Sequence, residues 1–150
     1  MRIVVQRVTQ ASVTIHNQVK GEIGLGLLLL AGFTHDDTEE DLKWMASKVV
    51  QLRIFSDAED KMNLSVQDVQ GDLLVISQFT LHALTKKGNR PSYIQAAPPA
   101  LAIPLYERFV ALLEEALGKR VQTGEFGADM KVALLNDGPV TITIDSKNKE

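Results

Sequence analysis

The apolar run Gly24–Phe33 constrains the fold more than any other feature of this sequence. It falls far short of the roughly 20 residues that a membrane-spanning helix needs, so it predicts a buried β-strand. The chain has 150 residues, of which 45% are hydrophobic and 23% charged, as is typical of one folded domain over residues 1–150 and not of a disordered chain. Its first residues include no basic segment leading into an apolar one. We therefore expect no export signal and no membrane anchor, and hence a cytoplasmic protein.

Missing residue types and motifs exclude several kinds of chemistry. The sequence has no cysteine, which rules out disulfides, thiol nucleophiles and thiolate metal sites. The histidines His16, His35 and His82 are scattered, and no Walker, Gly-x-Ser-x-Gly or His-Glu-x-x-His motif is present, so we expect neither a metal ion nor another cofactor. With 16 basic and 19 acidic side chains, the net charge is −3. A nucleic-acid partner would therefore have to meet a local basic patch.

Hydrophobic spacing predicts more strands than helices. One helix follows Thr38, which has the spacing of a capping box with Asp41; a second helix ends before Gly118 and begins between Ala100 and Pro104. The predicted strands, besides Gly24–Phe33, are Met1–Val8, Ala11–His16, Val19–Ile23, Leu73–Leu81, Arg120–Thr123, Met130–Asn136 and Val140–Asp145. Both hairpins and β-helix-β connections occur in this order. We expect a mixed, strand-rich α/β fold of two β-layers with the two helices packed on one face.

The strand predicted over Leu73–Leu81 begins apolar and ends Ser77-Gln78-Phe79-Thr80, with hydroxyl and amide groups near its carboxyl end. Ligands tend to bind at that end in sheets with helical crossovers, although side chains that simply face solvent would give the same pattern. His82 follows Thr80 by two positions and would share its face of the strand, which permits a nucleophile–base pair in principle. No acid that would orient the imidazole can be identified, and we expect His82 to lie at the rim of the site.

The densest basic stretch of this acidic chain lies in a polar, proline-punctuated segment, which predicts an irregular loop from His82 to Pro99. Its three cations are Lys86, Lys87 and Arg90. With a nearby glycine and Tyr93, they suit phosphate contact together with base stacking. A solvated loop would have the same composition, and spacing does not decide between the two.

Two further features concern the backbone and a charge in an apolar setting. Asn136–Pro139 predicts a tight turn between the last two strands. The Gly138–Pro139 bond can be held cis, and its two carbonyls can then point the same way into a cavity. Arg7 interrupts an apolar strand, so a buried guanidinium there needs backbone carbonyls or a carboxylate as acceptors.

Taken together, these segments resemble the D-aminoacyl-tRNA deacylases of bacterial type. The resemblance spans essentially the whole chain and rests on Ser77–Leu81, Gly88–Ser92 and Asn136–Thr141, with support from Arg2–Val8 and Phe126–Met130. It implies a homodimeric enzyme that hydrolyses the ester between a D-amino acid and tRNA, as a chiral proofreading step in translation.

The resemblance also implies roles for individual residues. The segment Ser77–Thr80 would line the pocket for the terminal adenosine and the aminoacyl group, and Met130 would contact the substrate. A cis Gly138–Pro139 pair would enter the partner subunit's pocket, where its carbonyls engage the amino group and exclude an L side chain, with Arg7 supporting the turn. Such a pocket should accept many D-residues and also glycine, because glycine lacks the clashing group.

Thr80 is assigned two different roles within the family, as a nucleophile or as a residue that positions substrate beside a water activated with help from the 2′-hydroxyl of the tRNA. The lack of a base near Thr80 favours the second role, with main-chain N–H groups of Phe79 and Thr80 holding the oxyanion.

The chain departs from the family pattern at Leu84, where many members carry an acidic residue, and at Tyr93, which replaces a common Phe but keeps the ring. Two rival functions stay open: a non-catalytic dimeric nucleic-acid-binding module, and an esterase that uses Thr80 and His82 on small esters.

Overall fold

The structure of the protein, a computed structural model, describes every residue from Met1 to Glu150 and contains eight strands and two α-helices. In chain order they are β1 (Arg2–Ile15), β2 (Gln18–Ile23), β3 (Gly26–Gly32), α1 (Glu39–Gln51), β4 (Phe55–Ser56), β5 (Met62–Leu64), β6 (Asp72–Ser77), α2 (Pro99–Leu117), β7 (Gln122–Thr123) and β8 (Lys131–Asp145). A 3₁₀ turn over Phe79–His82 follows β6. The expected mixed, strand-rich α/β class with two helices is confirmed. Neither helix combines the length and the apolar character that crossing a membrane requires.

Strand β1 organises the sheet because it pairs with three other strands. Its first half pairs antiparallel with β3 and its second half with β2, while β8 pairs antiparallel along its other edge. Strand β6 lies parallel to β3, β7 lies parallel to β6, and β4 and β5 form a separate small hairpin. The two strands expected over Met1–Val8 and Ala11–His16 are one continuous strand, because β8 pairs with both halves.

Two clusters of buried side chains lie on opposite faces of the sheet. The larger cluster packs both helices against β1, β3 and β6, and it includes Phe109. The smaller cluster lies between two arms of the sheet, where Val13 and Ile23 of one arm pack with Leu74 of the other. The arms approach so closely that a Cβ at Gly21 would lie 2.9 Å from the main-chain oxygen of Thr123. The two β-layers are therefore two arms of one sheet, with the helices on one face.

Local sequence signals account for the helix ends. The backbone N–H of Asp41 donates to the Thr38 hydroxyl and the Asp41 carboxylate accepts from the N–H of Thr38 at 2.9 Å, so the predicted capping box begins α1. Gly118, with a left-handed φ of 80°, ends α2 as predicted. Helix α2 begins at Pro99, just before the expected range, and Pro104 lies inside it.

The polar end of the strand predicted over Leu73–Leu81 has a different conformation from the one expected. Strand β6 ends at Ser77, and the N–H of Gln78 donates to the carbonyl of Ala31 at 2.7 Å. Beyond this point no strand pairs with the chain. The N–H of Leu81 donates instead to the carbonyl of Gln78, and the N–H of Ala83 donates to the carbonyl of Thr80. The prediction of a strand continuing to Leu81 is therefore wrong.

The segment expected to be a tight turn between two strands is a bulge within β8. Pairing with β1 runs through Asn136 and resumes at Thr141, so that Asp137–Val140, the β8 bulge, protrudes opposite Arg7. Both halves of β8 run in the same direction along β1, because a bulge accommodates extra residues without reversing the chain. The predicted hairpin is therefore wrong.

Candidate active site

The 3₁₀ turn after β6 carries the Ser-Gln-Phe-Thr residues out of the sheet. The side-chain amide of Gln78 donates to the hydroxyl oxygen of Thr80 at 2.6 Å. The main-chain N–H groups of Phe79 and Thr80 donate to no other group in the chain. Two consecutive unpaired N–H groups form a donor pair of the kind that binds an anionic oxygen.

A cavity of about 270 Å³ lies beside this turn. The carboxyl ends of β3 and β6 form one wall, together with Ser77, Gln78 and Phe79; the opposite wall is the segment 126–130 with Val132. Met130 is thus in the cavity wall, whereas Thr80 borders it only through its hydrogen bond from Gln78. A mainly apolar cavity with a few polar groups in its walls is typical of a small-ligand site.

Helix α2 holds the cavity walls in place through Tyr106. Its hydroxyl donates to the carbonyl of Val75 in β6 at 2.8 Å, and burial raises the pKa of Tyr106 to about 12. Its ring also packs edge-on against Phe126, with ring centroids 6.1 Å apart. Phe126 lines the cavity. Tyr106 therefore contacts both β6 and the 126–130 segment, which form two walls of the cavity.

Arg7 is buried and holds the β8 bulge. Its Nε donates to the carbonyl of Asp137 at 3.1 Å and lies 3.3 Å from the carboxylate of the same residue, while Nη1 donates to the carbonyl of Ile54 at 2.6 Å. The expectation that a buried guanidinium would find carbonyl or carboxylate acceptors is confirmed. The Gly138–Pro139 peptide bond is cis, and Gly138 has a φ of 120°, a conformation that L side chains rarely adopt.

The bulge and the cavity of one chain lie apart. Neither Gly138 nor Pro139 lines the cavity. Arg7 is paired with Leu27 at the start of β3, whereas Gly32 at its end lines the cavity. At about 3.3 Å per residue, these two ends of β3 are separated by roughly 17 Å. The structure therefore brings Ser77, Gln78, Phe79 and Met130 together and leaves Arg7, Gly138 and Pro139 at a different place.

His82 does not lie at the rim of the site, as its position in the sequence suggested. It is 3% exposed, and its Nε2 atom has no hydrogen-bond partner. Burial lowers the pKa of His82, and the nearby charges of Arg2 and the Met1 ammonium act in the same direction. No hydrogen bond joins His82 to Thr80, because residues two apart in a 3₁₀ turn do not share a face. The predicted rim position is wrong, and the structure contains no Thr80–His82 pair.

The loop that carries Lys86, Lys87 and Arg90 is exposed throughout. None of these three cations takes part in an ion pair within the chain, so their charges face solvent. Leu84 and Ser92 close the base of the loop with two backbone hydrogen bonds of 2.8 and 3.0 Å. Leu84 therefore contributes its backbone to the loop, whichever side chain stands there.

Sequence reasoning missed three residues that shape the site. A Cβ at Gly32 would lie 2.7 Å from the main-chain oxygen of Gln78, so only glycine lets the turn approach β3 this closely. Arg2 donates to the carbonyl of Leu81 at 3.2 Å and to Asp145 at 2.7 Å, and Phe126 lines the cavity. A glycine closing an apolar strand was one available signal. The segments Arg2–Val8 and Phe126–Met130 contain the other two residues without indicating their roles, which depend on contacts between distant parts of the chain. No group of three His, Asp or Glu side chains is placed to share a metal ion.

Fold and site together define a class: a mixed α/β protein with a ligand-sized, mainly apolar cavity at the carboxyl ends of parallel strands and unpaired main-chain donors beside it. A family model described as D-Tyr-tRNA(Tyr) deacylase matches residues 4–145. The chain belongs to this family, and the resemblance inferred from its motifs is confirmed.

Similar proteins cover the whole chain. Proteins named D-aminoacyl-tRNA deacylase from Flavobacterium psychrophilum and Bacteroides thetaiotaomicron are each 62% identical over 150 residues, with 100% of both chains covered. A solved structure titled "c-Myc DNA Unwinding Element Binding Protein" matches with a TM-score of 0.90 at 40% identity, covering 97% of this chain and 98% of that chain. Another, titled as a probable eukaryotic D-amino acid tRNA deacylase, has the same fold, with a TM-score of 0.82 at 20% identity over 95% and 97% of the two chains.

Proposed function

We propose that this protein is a carboxylic ester hydrolase that cleaves the ester bond between a D-amino acid and tRNA, releasing the free D-amino acid and tRNA. The observation that carries the proposal is membership of the deacylase family over residues 4–145, together with a cavity lined by Ser77, Gln78 and Phe79. The activity removes wrongly charged tRNA before translation uses it, and its place is the cytoplasm, where translation occurs.

The cavity receives the terminal adenosine and the aminoacyl group. Phe126 offers a ring to the adenine, and Met130 packs along the same wall. The ester carbonyl then lies beside the 3₁₀ turn, where the N–H groups of Phe79 and Thr80 have no other acceptor. These two donors stabilise the negative charge that develops on the carbonyl oxygen in the transition state, a contribution that is typically large.

Hydrolysis proceeds by attack of water on the ester carbonyl carbon. The bond from that carbon to the ribose oxygen breaks, the leaving oxygen takes up a proton, and the D-amino acid departs with a free carboxylate. Within the chain no base contacts Thr80, whose hydroxyl oxygen already accepts from Gln78. Thr80 therefore positions the substrate, and the 2′-hydroxyl of the tRNA assists the water. Orientation of this kind is worth up to ~7–11 kcal/mol of the barrier.

Selection of the D-form requires a second copy of the chain. In this proposal the β8 bulge of one protomer enters the cavity of its partner, where the carbonyls of Gly138 and Pro139 bind the amino group and leave no room for an L side chain. Three features support it: the bulge is exposed, it lies about 17 Å along the sheet from its own cavity, and the outer edge of β8 has no pairing strand. Arg7 keeps the bulge in shape from beneath.

The exposed cations Lys86, Lys87 and Arg90 bind the phosphates of the acceptor end of the tRNA. They are the local basic patch that a chain of net charge −3 needs for a nucleic-acid partner. Because such contacts release counterions, binding of tRNA should weaken as salt is raised.

One alternative has an observation in its favour: a non-catalytic dimeric nucleic-acid-binding module. A structural relative at 40% identity carries a title that names DNA-element binding. The Thr80–His82 esterase has no such support, because His82 is buried away from Thr80.

The deciding experiment follows release of amino acid from D-Tyr-tRNA, L-Tyr-tRNA and Gly-tRNA side by side, with gel-shift binding to uncharged tRNA in parallel. We expect rapid release from the D-ester, measurable release from the glycyl ester and far slower release from the L-ester. Binding of tRNA without release would establish the alternative module, and equal release from D- and L-esters would overturn the proposed selectivity.

A further inference from the structure

We infer that Phe79 and Tyr93 form a stacking platform for the unpaired nucleotides that precede the terminal adenosine of the tRNA. The inference rests on the proposed function and extends its binding site outward from the cavity. These two residues form the aromatic ledge.

Phe79 and Tyr93 are the most exposed aromatic side chains of this chain. Phe33, Tyr106 and Phe109 are buried in the core, where Phe33 packs edge-to-face against each of the other two. Phe79 and Tyr93 also meet edge-to-face, with ring centroids 5.1 Å apart, but they are 54% and 39% exposed. An exposed aromatic pair leaves ring surface open to a planar ligand, and nucleobases stack on such surfaces.

The ledge lies between the cavity and the basic loop. Phe79 lines the cavity, and Tyr93 contacts Phe79. Tyr93 directly follows Ser92, which pairs with Leu84 at the base of the loop that carries the three cations. A strand of RNA whose last nucleotide sits in the cavity therefore meets the two rings first and the cations next.

The ledge is fixed to the sheet and is not a mobile loop tip. The N–H of Ala96 donates to the carbonyl of Tyr93 at 3.0 Å, and the N–H of Ala97 donates to the carbonyl of Phe33 at 2.9 Å, just beyond β3. Thr34 and Ala96 form a further bridge. A preorganised platform loses little conformational entropy when a base stacks on it.

The charge beside the ledge identifies its occupant as nucleic acid and not as an apolar protein surface. Lys86, Lys87 and Arg90 are exposed and lack intramolecular ion-pair partners, although the chain as a whole is acidic. Aromatic rings flanked by unpaired cations provide what single-stranded RNA needs, namely faces for its bases and charges for its phosphates.

The test compares two substrates that differ only beyond the terminal nucleotide: D-Tyr-tRNA and the 3′-ester of D-tyrosine with adenosine. Tyr93→Ser should lower kcat/KM for D-Tyr-tRNA by roughly 5- to 150-fold, mainly through KM, as expected when one base loses its aromatic partner. It should leave hydrolysis of the adenosine ester unchanged, because that substrate does not reach Tyr93. Tyr93→Phe, which keeps the ring, should match the wild type on both substrates.

Met62→Ser is the matched control, since Met62 is also an exposed apolar residue, at 59%, but lies on the β4–β5 hairpin. An equal loss on both substrates would overturn the inference, because Tyr93 would then shape the cavity. An unchanged kcat/KM of the Tyr93→Ser variant for D-Tyr-tRNA would also overturn the inference. So would a change in the oligomeric mass of this variant in solution, because the two rings would then form a contact between protein chains. Failure of the wild type to hydrolyse D-Tyr-tRNA would instead overturn the proposed function.

Discussion

The cavity and the β8 bulge are built in opposite ways. The cavity is concave, lies where β6 leaves the sheet, and depends on main-chain bonds and on the close approach of Gly32 to Gln78. The bulge is convex and exposed, and the side chain of Arg7 holds it from beneath. The cavity offers donors to an ester oxygen but nothing that tests handedness, whereas the bulge offers carbonyls but no pocket. If the proposed function is right, the cavity determines the rate of hydrolysis and the β8 bulge determines the preference for the D-ester. A substitution in one region should therefore change one of these quantities and not the other.

The largest expected effect is on rate, from Gly32→Ala. The new Cβ would lie 2.7 Å from the main-chain oxygen of Gln78 and must push the 3₁₀ turn outward, together with the N–H groups of Phe79 and Thr80. Loss of an oxyanion donor typically lowers kcat by about 100- to 1,000-fold, and we expect a decrease of this size for D-Tyr-tRNA. Single-turnover rates on D- and L-esters measure it, and the ratio between the two should not change.

The matched control is Gly24→Ala, because a Cβ at Gly24 would have no neighbour within 4 Å. It should behave as the wild type. Wild-type kcat in a well-folded Gly32→Ala variant would show that the turn does not hold the oxyanion.

Gly138→Ala should change selectivity more than rate. The φ of 120° at Gly138 is unfavourable for alanine, so the backbone of the bulge shifts and its carbonyls move with it. The new Cβ would also lie 2.8 Å from Nη2 of Arg7, whose guanidinium must shift as well. Since a displacement near 1 Å can cost about 100-fold, we expect the preference for D-Tyr-tRNA over L-Tyr-tRNA to fall by about that factor.

The measurement is the ratio of kcat/KM for the two esters, with Gly24→Ala again as control. Replacing Gly138 and Pro139 together should abolish the preference altogether. An unchanged ratio in both variants would remove the bulge from the site and, with it, the proposed need for a second protomer.

Thr80→Ala should have a moderate effect. The substitution removes a hydroxyl that accepts from Gln78 at 2.6 Å, and a hydrogen bond of this kind contributes about 0.5–1.5 kcal/mol, or roughly 2- to 13-fold in rate. Hydrolysis of D-Tyr-tRNA should therefore be reduced but measurable in a steady-state assay. Complete loss of hydrolysis, with folding and tRNA binding intact, would make Thr80 a nucleophile.

The smallest effect concerns the pH dependence of stability, and it tests the burial of His82 at the end of the 3₁₀ turn. Burial lowers the pKa of His82 in the folded chain below the 6.5 that is usual for histidine, so between the two values the unfolded chain binds more protons. The free energy of unfolding should therefore decrease as pH falls below 6.5 and level off once the folded form is also protonated. His82→Phe should lose this component in urea titrations across pH 5–8.

The exposed His16 provides the control for this titration, because His16→Asn suits its positive φ of 49° and leaves His82 in place. This variant should keep the pH dependence of the wild type. A dependence that persists in His82→Phe would assign it to another group.

Much of the site was predictable because its signals are local. The Ser-Gln-Phe-Thr residues stand together in the sequence, and three of them line the cavity beside Met130. The conformation that carries them was not predictable, because β-propensity favours a strand to Leu81, whereas the strand ends where β3 no longer offers a partner. The same reason explains His82, which would share a face with Thr80 in a strand but is buried as the last residue of the 3₁₀ turn.

Elements that depend on near neighbours could be predicted from the residues alone. They are the buried strand within Gly24–Phe33, the capping box at Thr38, the end of α2 at Gly118, and the motifs that mark the family. Three features depend on long-range pairing instead: β1 is one continuous strand, Asp137–Val140 form a bulge and not a hairpin turn, and Arg7 lies beneath that bulge. These features depend on pairing between β1 and β8, which lie more than a hundred residues apart. Residues close together in sequence report local conformation, whereas the partner that completes a distant pair is known only once the chain has folded.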